Sequence, residues 1–411
     1  MINDQRIVEK IYVSLHVTCL TIVAIFMILS KRYAGELSQF QCYITTIDLF
    51  ILLWFSIVGF VISYFFYVIT KNKKIFIYIA PFRVRPFRLT NVFFCLLLLQ
   101  LVFLLVTDVG RVGSQSTSPY SSIFSLLNID AFFGFFYFLT RKSDQVKKIY
   151  FWLVVITYLV FKLLQGWSGI ILVVFFFELY FYFKSRKIRP WRSVAIVLFL
   201  PLILILAGGK VYQYVLPFKF EMRGLSLTEI NYTESVVNLT NRFTFFPVAV
   251  GAYEKNREII FNTLHDDTSF REIKGLFRPF VSKSMMINKE FRSINNLVMQ
   301  AFYPDITATT SSDVGLIMYA ITLFSSNLAE GLLWILMTMI LLVINKALID
   351  SFEQYPGQLN FLYFLLVMKL YYTASPEMVF SYGSIGVFYL LPTLFITAAF
   401  KVKKKKTSGY I

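Results

Sequence analysis

Charge is scarce in this chain. Asp, Glu, Lys and Arg make up 15% of its 411 residues, whereas a water-soluble domain carries about 25%. A surface that poor in charge excludes a soluble globule and calls for a solvent other than water. Cysteine is scarcer still, with three residues. Cys19 and Cys95 lie inside apolar runs and Cys42 at the edge of one, so neither a disulfide framework nor zinc-ligand spacing is present. No Asp-X-Asp pair occurs, and the first linker after the N-terminal apolar run offers Glu36 as its one carboxylate. No metal and no cofactor is expected. What the chain does have is apolar bulk: 57% hydrophobic residues, a mean hydropathy of +0.66, 46 Phe and 25 Tyr. Aromatic rings suit both hydrocarbon and its headgroup boundary. The net charge of +17 does not indicate nucleic acid as a partner, because the basic residues form short runs between apolar stretches and read as a topology signal.

Crossing the hydrocarbon of a bilayer takes about 20 mostly apolar residues in a helix. Seven runs qualify before a long polar stretch, at 11–30, 43–70, 91–107, 119–139, 149–165, 168–184 and 192–207, and three follow it, at 330–348, 359–374 and 383–400. The first is long and reads as a retained helix rather than a cleaved signal. The linkers 71–90, 140–148 and 184–192 and the tail with Lys401, Lys403, Lys404, Lys405 and Lys406 hold most of the Lys and Arg outside the long stretch. By the positive-inside rule these four segments are cytoplasmic, as are both termini. Residues 313–327 are apolar but short. If they spanned, the lysine tail would end up outside, so they read as a re-entrant or half-buried helix, which is tolerated only when packed in protein or lining a cavity. The expected fold is an all-α polytopic bundle in three parts: seven helices in 1–207, an outer loop in 208–329, and three helices with a basic tail in 330–411.

The outer loop is too long to be structureless and too apolar to be a tether. Its core, 208–312, contains 12 Lys and Arg against 10 Asp and Glu. Two amphipathic helices are expected to lie on the membrane surface. One, 242–257, begins at Arg242 after a cap at Asn241. The other, 287–302, carries Ile287, Phe291, Ile294, Leu297, Val298 and Phe302 at helical spacing. Outward cations include Lys210, Lys219, Arg223, Arg242, Arg271, Lys274, Arg278, Lys283 and Arg292. Each alone reads as a solvated charge or an anchor to anionic lipid. As a cluster they suit a lipid-linked phosphate, because guanidinium binds phosphate oxygens bidentately and ammonium binds them as a point charge. Within spans, Lys162, Lys369, Asp130 and Glu178 stand out, since ionisable groups in hydrocarbon mark either function or snorkelling.

The layout resembles the Wzy-type oligosaccharide repeat-unit polymerases, multi-spanning bacterial inner-membrane glycosyltransferases related in architecture to O-antigen ligases. The resemblance is carried by the turn Gln165–Gly169 between paired helices, Arg242 in a large outer loop, and the stretch Thr307–Gly331 with its polar lead-in and short apolar helix. It implies a GT-C-like helical fold with a periplasmic loop. The implied reaction transfers a glycan from undecaprenyl pyrophosphate to a hydroxyl of the next lipid-linked repeat unit. Membrane lipid and a chain-length regulator are the further partners implied. Arg242, Arg278, Arg292, Arg223, Lys210, Arg271, Lys162 and Lys369 become candidates for the pyrophosphate, and Asp305, Asp313, His265 and Glu330 candidates for the base. His265–Asp266–Asp267 otherwise reads as a solvated loop tip. The ligases tend to carry a histidine late in the loop, and 291–312 has none, which favours polymerase over ligase. A flippase or other transporter is the competing class, but no repeated halves with paired broken helices are visible. The topology has a direct test: a reporter fused after Lys283 is expected outside and one after Lys406 inside, and a cytoplasmic signal at 283 would overturn the arrangement.

Overall fold

A computed structural model describes residues 6–73, 82–111, 116, 118–120, 129–167, 169–184, 186, 189–221, 231–265, 271–277, 293–304, 313–352, 359–376 and 400–402. The helices before the long loop are α1 (Ile7–Ser30), α2 (Thr46–Thr70), α3 (Pro86–Thr107), α4 (Ile129–Thr140), α5 (Lys148–Leu164), α6 (Ile170–Lys184) and α7 (Pro190–Glu221). Among the described residues each of the seven expected runs overlaps one of these helices. Their ends follow local chemistry. Thr45 caps α2 by accepting the Asp48 N–H, and α3 opens on Pro86, whose missing N–H costs nothing in a first turn. Lys31 and Asp108 close α1 and α3 in the left-handed conformation. Residues 121–128 and 383–399, parts of two expected spans, lie outside the described residues.

Among the described residues five helices are long and apolar enough to cross a membrane: α1, α2, α3, the Pro190–Val215 part of α7, and α14 (Leu328–Asp350). Trp54, Phe65, Val106 and Leu198 are among many large apolar side chains left exposed on them. That surface fits lipid and not water. The chain is a multi-pass helical membrane protein. The described parts of α4, α5, α6 and α15 (Asn360–Thr373) are apolar but shorter than a full span.

The basic linkers gather at one end of the bundle. Tyr67 and Lys71, at the end of α2, meet Glu9 at the start of α1. Thr70 bonds Tyr363 at the start of α15, Phe361 stacks on Tyr180 near the end of α6, and Lys142 sits over Phe181. At this end the strand β1 (Phe82–Val84) pairs antiparallel with β2 (Phe400–Val402), with Arg83 opposite Lys401. The linker 31–45 lies at the other end of α1 and α2.

Inside the bundle, buried aromatics do most of the packing. Phe93 stacks on Phe136 and Phe133 on Tyr158, joining α3, α4 and α5. Two ion pairs clamp α4. At one end Lys162 Nζ is 2.8 Å from Asp130, which also accepts from Tyr158. At the other, Arg141 makes a two-point contact with Glu178, which also accepts from Tyr137. Extra donors matter here, because a half-buried pair offsets its partial desolvation better when the remaining lone pairs are also satisfied.

The long loop departs from the surface-helix expectation. Its described helices are α8 (Tyr232–Asn241), α9 (Phe246–Glu254), α10 (Asn256–His265), α11 (Arg271–Phe277), α12 (Ile294–Phe302) and α13 (Leu316–Ser326). Arg242 does not open a helix. It closes α8, whose cap is Asn231, the Asn231 side chain accepting the Glu234 N–H at 2.8 Å. The apolar run that follows is buried on every side from Phe246 to Ala252, so it is packed in protein and not laid on lipid; a run apolar all round has no polar face to offer water. In α12 not only Ile294, Leu297 and Val298 but also Asn295 and Asn296 are buried, so it too is an interior element. Residues 278–292, which include the rest of that expected helix, lie outside the described residues. The helix α13 is the short element expected within 313–327. It begins at Gly315, whose φ of 81° and ψ of 155° are open to glycine almost alone. A Cβ there would stand 2.2 Å from the Phe245 ring. Gly315→Ala is therefore expected to destabilise by about 2 kcal/mol or more, read as a lower melting temperature of the detergent-solubilised protein. An unchanged melt would show that the 245–315 contact does not constrain the fold.

Candidate functional site

The residues of interest converge where α8 and α9 form a hairpin. Its turn, 242–245, reaches the middle of α1 and α2. His16 lies about 14 Å along α1 from Ile7, at roughly 1.5 Å per residue. Its Nδ1 is 2.7 Å from the Phe243 carbonyl, and since a carbonyl only accepts, that nitrogen carries the proton. From the other side the Tyr372 hydroxyl donates to the Arg242 carbonyl at 3.3 Å. Tyr12, Phe60 and Tyr372 surround the imidazole with ring centroids 4.3, 5.9 and 6.0 Å away. Phe245 packs on Tyr371 and Tyr372 at 5.1 and 5.5 Å, and Tyr371 donates to the Ser56 carbonyl at 2.6 Å. A small cleft beside it is lined by Leu52, Phe55, Ser56, Phe245, Ile317 and Tyr371. From the turn, α9 climbs back to the linker after α1. There Glu254 accepts the Tyr33 hydroxyl at 2.6 Å; burial, and then this carboxylate, push the Tyr33 phenol well above its ordinary pKa, so it stays a neutral donor.

A second set of bonds fastens the opposite wall. The buried Asn295 carboxamide donates to the Thr373 carbonyl at 3.0 Å and accepts the Val314 N–H at 3.2 Å. One side chain thereby joins the start of α12, the lead-in to α13 and the end of α15. Trp334 of α14 donates to the Ala374 carbonyl at 2.9 Å. Ser293 and Asn296 cap α12 reciprocally.

Of the candidate residues, these contacts link the segments that carry Arg242, Asp313 and Lys369. Asp313 directly precedes Val314, and Lys369 lies one turn before Thr373, whose hydroxyl donates to the Lys369 carbonyl. The Arg242 side chain is exposed, and among the described residues no ion pair or hydrogen bond engages its guanidinium. Lys162 sits elsewhere, held by Asp130 and by Gln165 at 2.7 Å. Lys210 is exposed on α7, bonded to Gln213 and lying over Tyr214. Glu330 is buried in the first turn of α14, under the Asn327 cap. His265 ends α10 and Arg271 begins α11. Arg223, Arg278, Arg292 and Asp305 lie outside the described residues. Among the described residues no three His, Cys, Asp or Glu side chains cluster as metal ligands would. Sequence reasoning missed His16, Tyr372 and Asn295. His16 had a usable signal, being an ionisable residue inside an apolar span.

The chain matches no family model, and it finds no significant match among curated proteins or solved structures. The site is therefore read from its own chemistry. An exposed guanidinium sits at a turn walled by aromatic rings, and a carboxylate and an ammonium lie on the adjoining segments. In surroundings poorer in water than a solvated loop, a cation holds an anion more strongly. His16→Phe and Tyr372→Phe each remove one donor to the turn and are expected to cost about 1 kcal/mol, with Lys210→Gln neutral. Because both hold the same turn, the double variant should depart from additivity by about 0.5 kcal/mol or more. Strict additivity in a denaturation cycle would refute a shared clamp.

Proposed function

We propose that this chain is a membrane glycosyltransferase that extends a glycan carried on undecaprenyl pyrophosphate, polymerising oligosaccharide repeat units into O-antigen or a related surface polysaccharide at the periplasmic face of a bacterial inner membrane. The observation that carries the reading is the α8–α9 hairpin, which holds Arg242 at an aromatic-walled turn level with the middle of α1. A lipid-linked substrate has an apolar tail and a charged pyrophosphate, and it needs a cation next to an apolar wall.

In this reading the C–O bond between the anomeric carbon and pyrophosphate breaks as a new glycosidic C–O bond forms to the acceptor hydroxyl. The hydroxyl proton passes to a base, and the pyrophosphate departs with both electrons of the broken bond. Arg242 and Lys369 stabilise the departing oxyanions, which is where electrostatic help counts most. Asp313 is the carboxylate on a neighbouring segment and is assigned as the base. Asp305 and His265 are the other candidates, and Arg278, Arg292, Arg223 and Arg271 complete the outward cations. A chain-length regulator is a fitting protein partner.

Arg242→Ala is expected to abolish chain extension while the protein remains in the membrane at its normal level, because the guanidinium supports no bond among the described residues. Arg278→Ala should do the same. Single repeat units would accumulate on the lipid carrier, and full-length polymer from both variants would exclude the pyrophosphate role. Deleting the gene and sizing the surface glycan separates the classes. One repeat per lipid core supports a polymerase, whereas no glycan at all assigns the chain to a ligase or a flippase.

A further inference from the structure

At the end of the bundle opposite the basic linkers, α3 and α5 finish side by side. The helix α5 closes in a Schellman turn: the Gly166 N–H bonds the Leu163 carbonyl, the Trp167 N–H bonds the Lys162 carbonyl, and Gly166 takes a φ of 89°. In such a turn the residue after the glycine ordinarily rests an apolar side chain on the last turn of the helix. Here the residue it meets is Lys162, whose ammonium lies 5.2 Å from the centre of the indole. Trp167 stays 53% exposed, and among the described residues no other ring packs on it. A Cβ on Gly169 would meet nothing within 4 Å, so the turn is open on that side. Gln165 connects it to the end of α3. The Gln165 oxygen accepts from Lys162 at 2.7 Å, and its amide nitrogen faces Gly110, where a Cβ would lie 3.6 Å away. On either side of Gly110, Asp108 and Arg111 pair at 2.9 Å and are partly exposed. Among the described residues the Gln165 Nε2, the second Asp108 carboxylate oxygen and the Arg111 Nε have no hydrogen-bond partner.

The charges here cancel locally, Asp108 against Arg111 and Asp130 against Lys162, so neither an anion nor a cation finds an opposite charge to neutralise. What remains is an exposed indole beside one spare amide donor and one spare carboxylate acceptor. Hydroxyls on adjacent ring carbons both donate and accept, which suits planar amide and carboxylate groups, and the C–H face of a sugar ring suits an aromatic face. A few fixed polar groups beside an aromatic wall are what orient a small ligand. We propose that Trp167, Gln165 and Asp108 form a subsite for a neutral saccharide, with the sugar ring against the indole and its hydroxyls bonded to the Gln165 amide and the Asp108 carboxylate. Lys162 is a positioning residue, holding the Gln165 oxygen and the indole while Asp130 balances its charge. The subsite is built on the ends of α3 and α5, apart from the α8–α9 turn, and does not depend on the glycosyltransferase reading.

The test uses the full-length protein in a detergent without a sugar headgroup, titrated with the methyl glycosides of glucose, galactose, mannose, rhamnose and N-acetylglucosamine and followed by saturation-transfer NMR. At least one neutral glycoside should bind saturably, receiving saturation most strongly on the C–H protons of one ring face. Trp167→Ala should weaken that binding by about tenfold and Trp167→Phe by much less. Gln165→Glu keeps the oxygen that Lys162 needs and removes the amide donor, so it should weaken binding by about fivefold. Each variant is first shown to be monodisperse with an unchanged melt. If Trp167→Ala fails that check, Gln165→Glu and Trp167→Phe decide, since unchanged binding in the first or complete loss in the second overturns the proposal. Absence of binding by the unaltered protein, or unchanged binding in a well-folded Trp167→Ala, would overturn it as well. So would a methyl glucuronide bound more tightly than its neutral counterpart, because the subsite is balanced in charge.

Discussion

A backbone carbonyl placed among apolar side chains must find a donor, and this requirement governs how the long loop folds. A turn exposes carbonyls that a helix would satisfy internally, so a turn at the depth of His16 is tolerable only if other elements supply the missing bonds. His16 supplies one to Phe243 and Tyr372 one to Arg242. Each donor comes from a different helix, so the turn ties α1 and α15 together. The packing of Phe245 on Tyr371, and the glycine needed at 315 to accommodate the Phe245 ring, then follow from where the turn is held.

The interior charges divide into two kinds. Asp130–Lys162 and Arg141–Glu178 are closed arrangements in which each carboxylate receives further donors from tyrosine. They tie α4 to α5 and to α6, and breaking either would leave a charge uncompensated among apolar residues. Arg242 is of the other kind. Its carbonyl is engaged while its guanidinium is not, so the residue gives its backbone to the fold and leaves its charge available. That division of labour within one residue is what separates it from Lys162, although both are cations surrounded by apolar sequence.

The spanning helices were legible because length and hydropathy leave little choice: a run of some twenty apolar residues has few places to go. The shared basic end followed from Lys and Arg counts, and the side-by-side placement of 82–84 and 400–402 agrees with it. The hairpin was not legible. The run from Phe243 to Ala252 is too short to span and apolar enough either to lie on lipid or to be buried, and its composition is the same in both cases. What decides between them is a bond between residues 227 positions apart, and no local pattern records that. The misplaced cap has a similar cause. Asn231 and Asn241 are equally good cap residues by type, and only Asn231 is followed by a helix whose N–H groups it receives. Lys369 and Asp313 were picked out by type and location, while Asn295, which joins their segments, is a neutral amide that neither type nor spacing marks.

The ends of α15 and α13 explain why polar groups collect beside the turn. The first stops at Thr373 and the second starts at Leu316, both beside the middle of α2, where Tyr371 bonds Ser56 and Ile317 lies against Gly59. A helix that stops inside a bundle leaves carbonyls to be satisfied, and one that starts there leaves N–H groups. Asn295 and Trp334 meet the carbonyls of Thr373 and Ala374, and Asn295 also meets the N–H of Val314. Irregular backbone of this kind brings polar side chains to a depth that continuous spans would fill with apolar ones, and in membrane proteins it is tolerated where it is enclosed by protein or lines a cavity. Here the segments that enclose it carry Arg242, Asp313 and Lys369. The broken helices, the hairpin and the charged residues are therefore parts of one arrangement, since a guanidinium at this level needs polar company that unbroken helices do not provide.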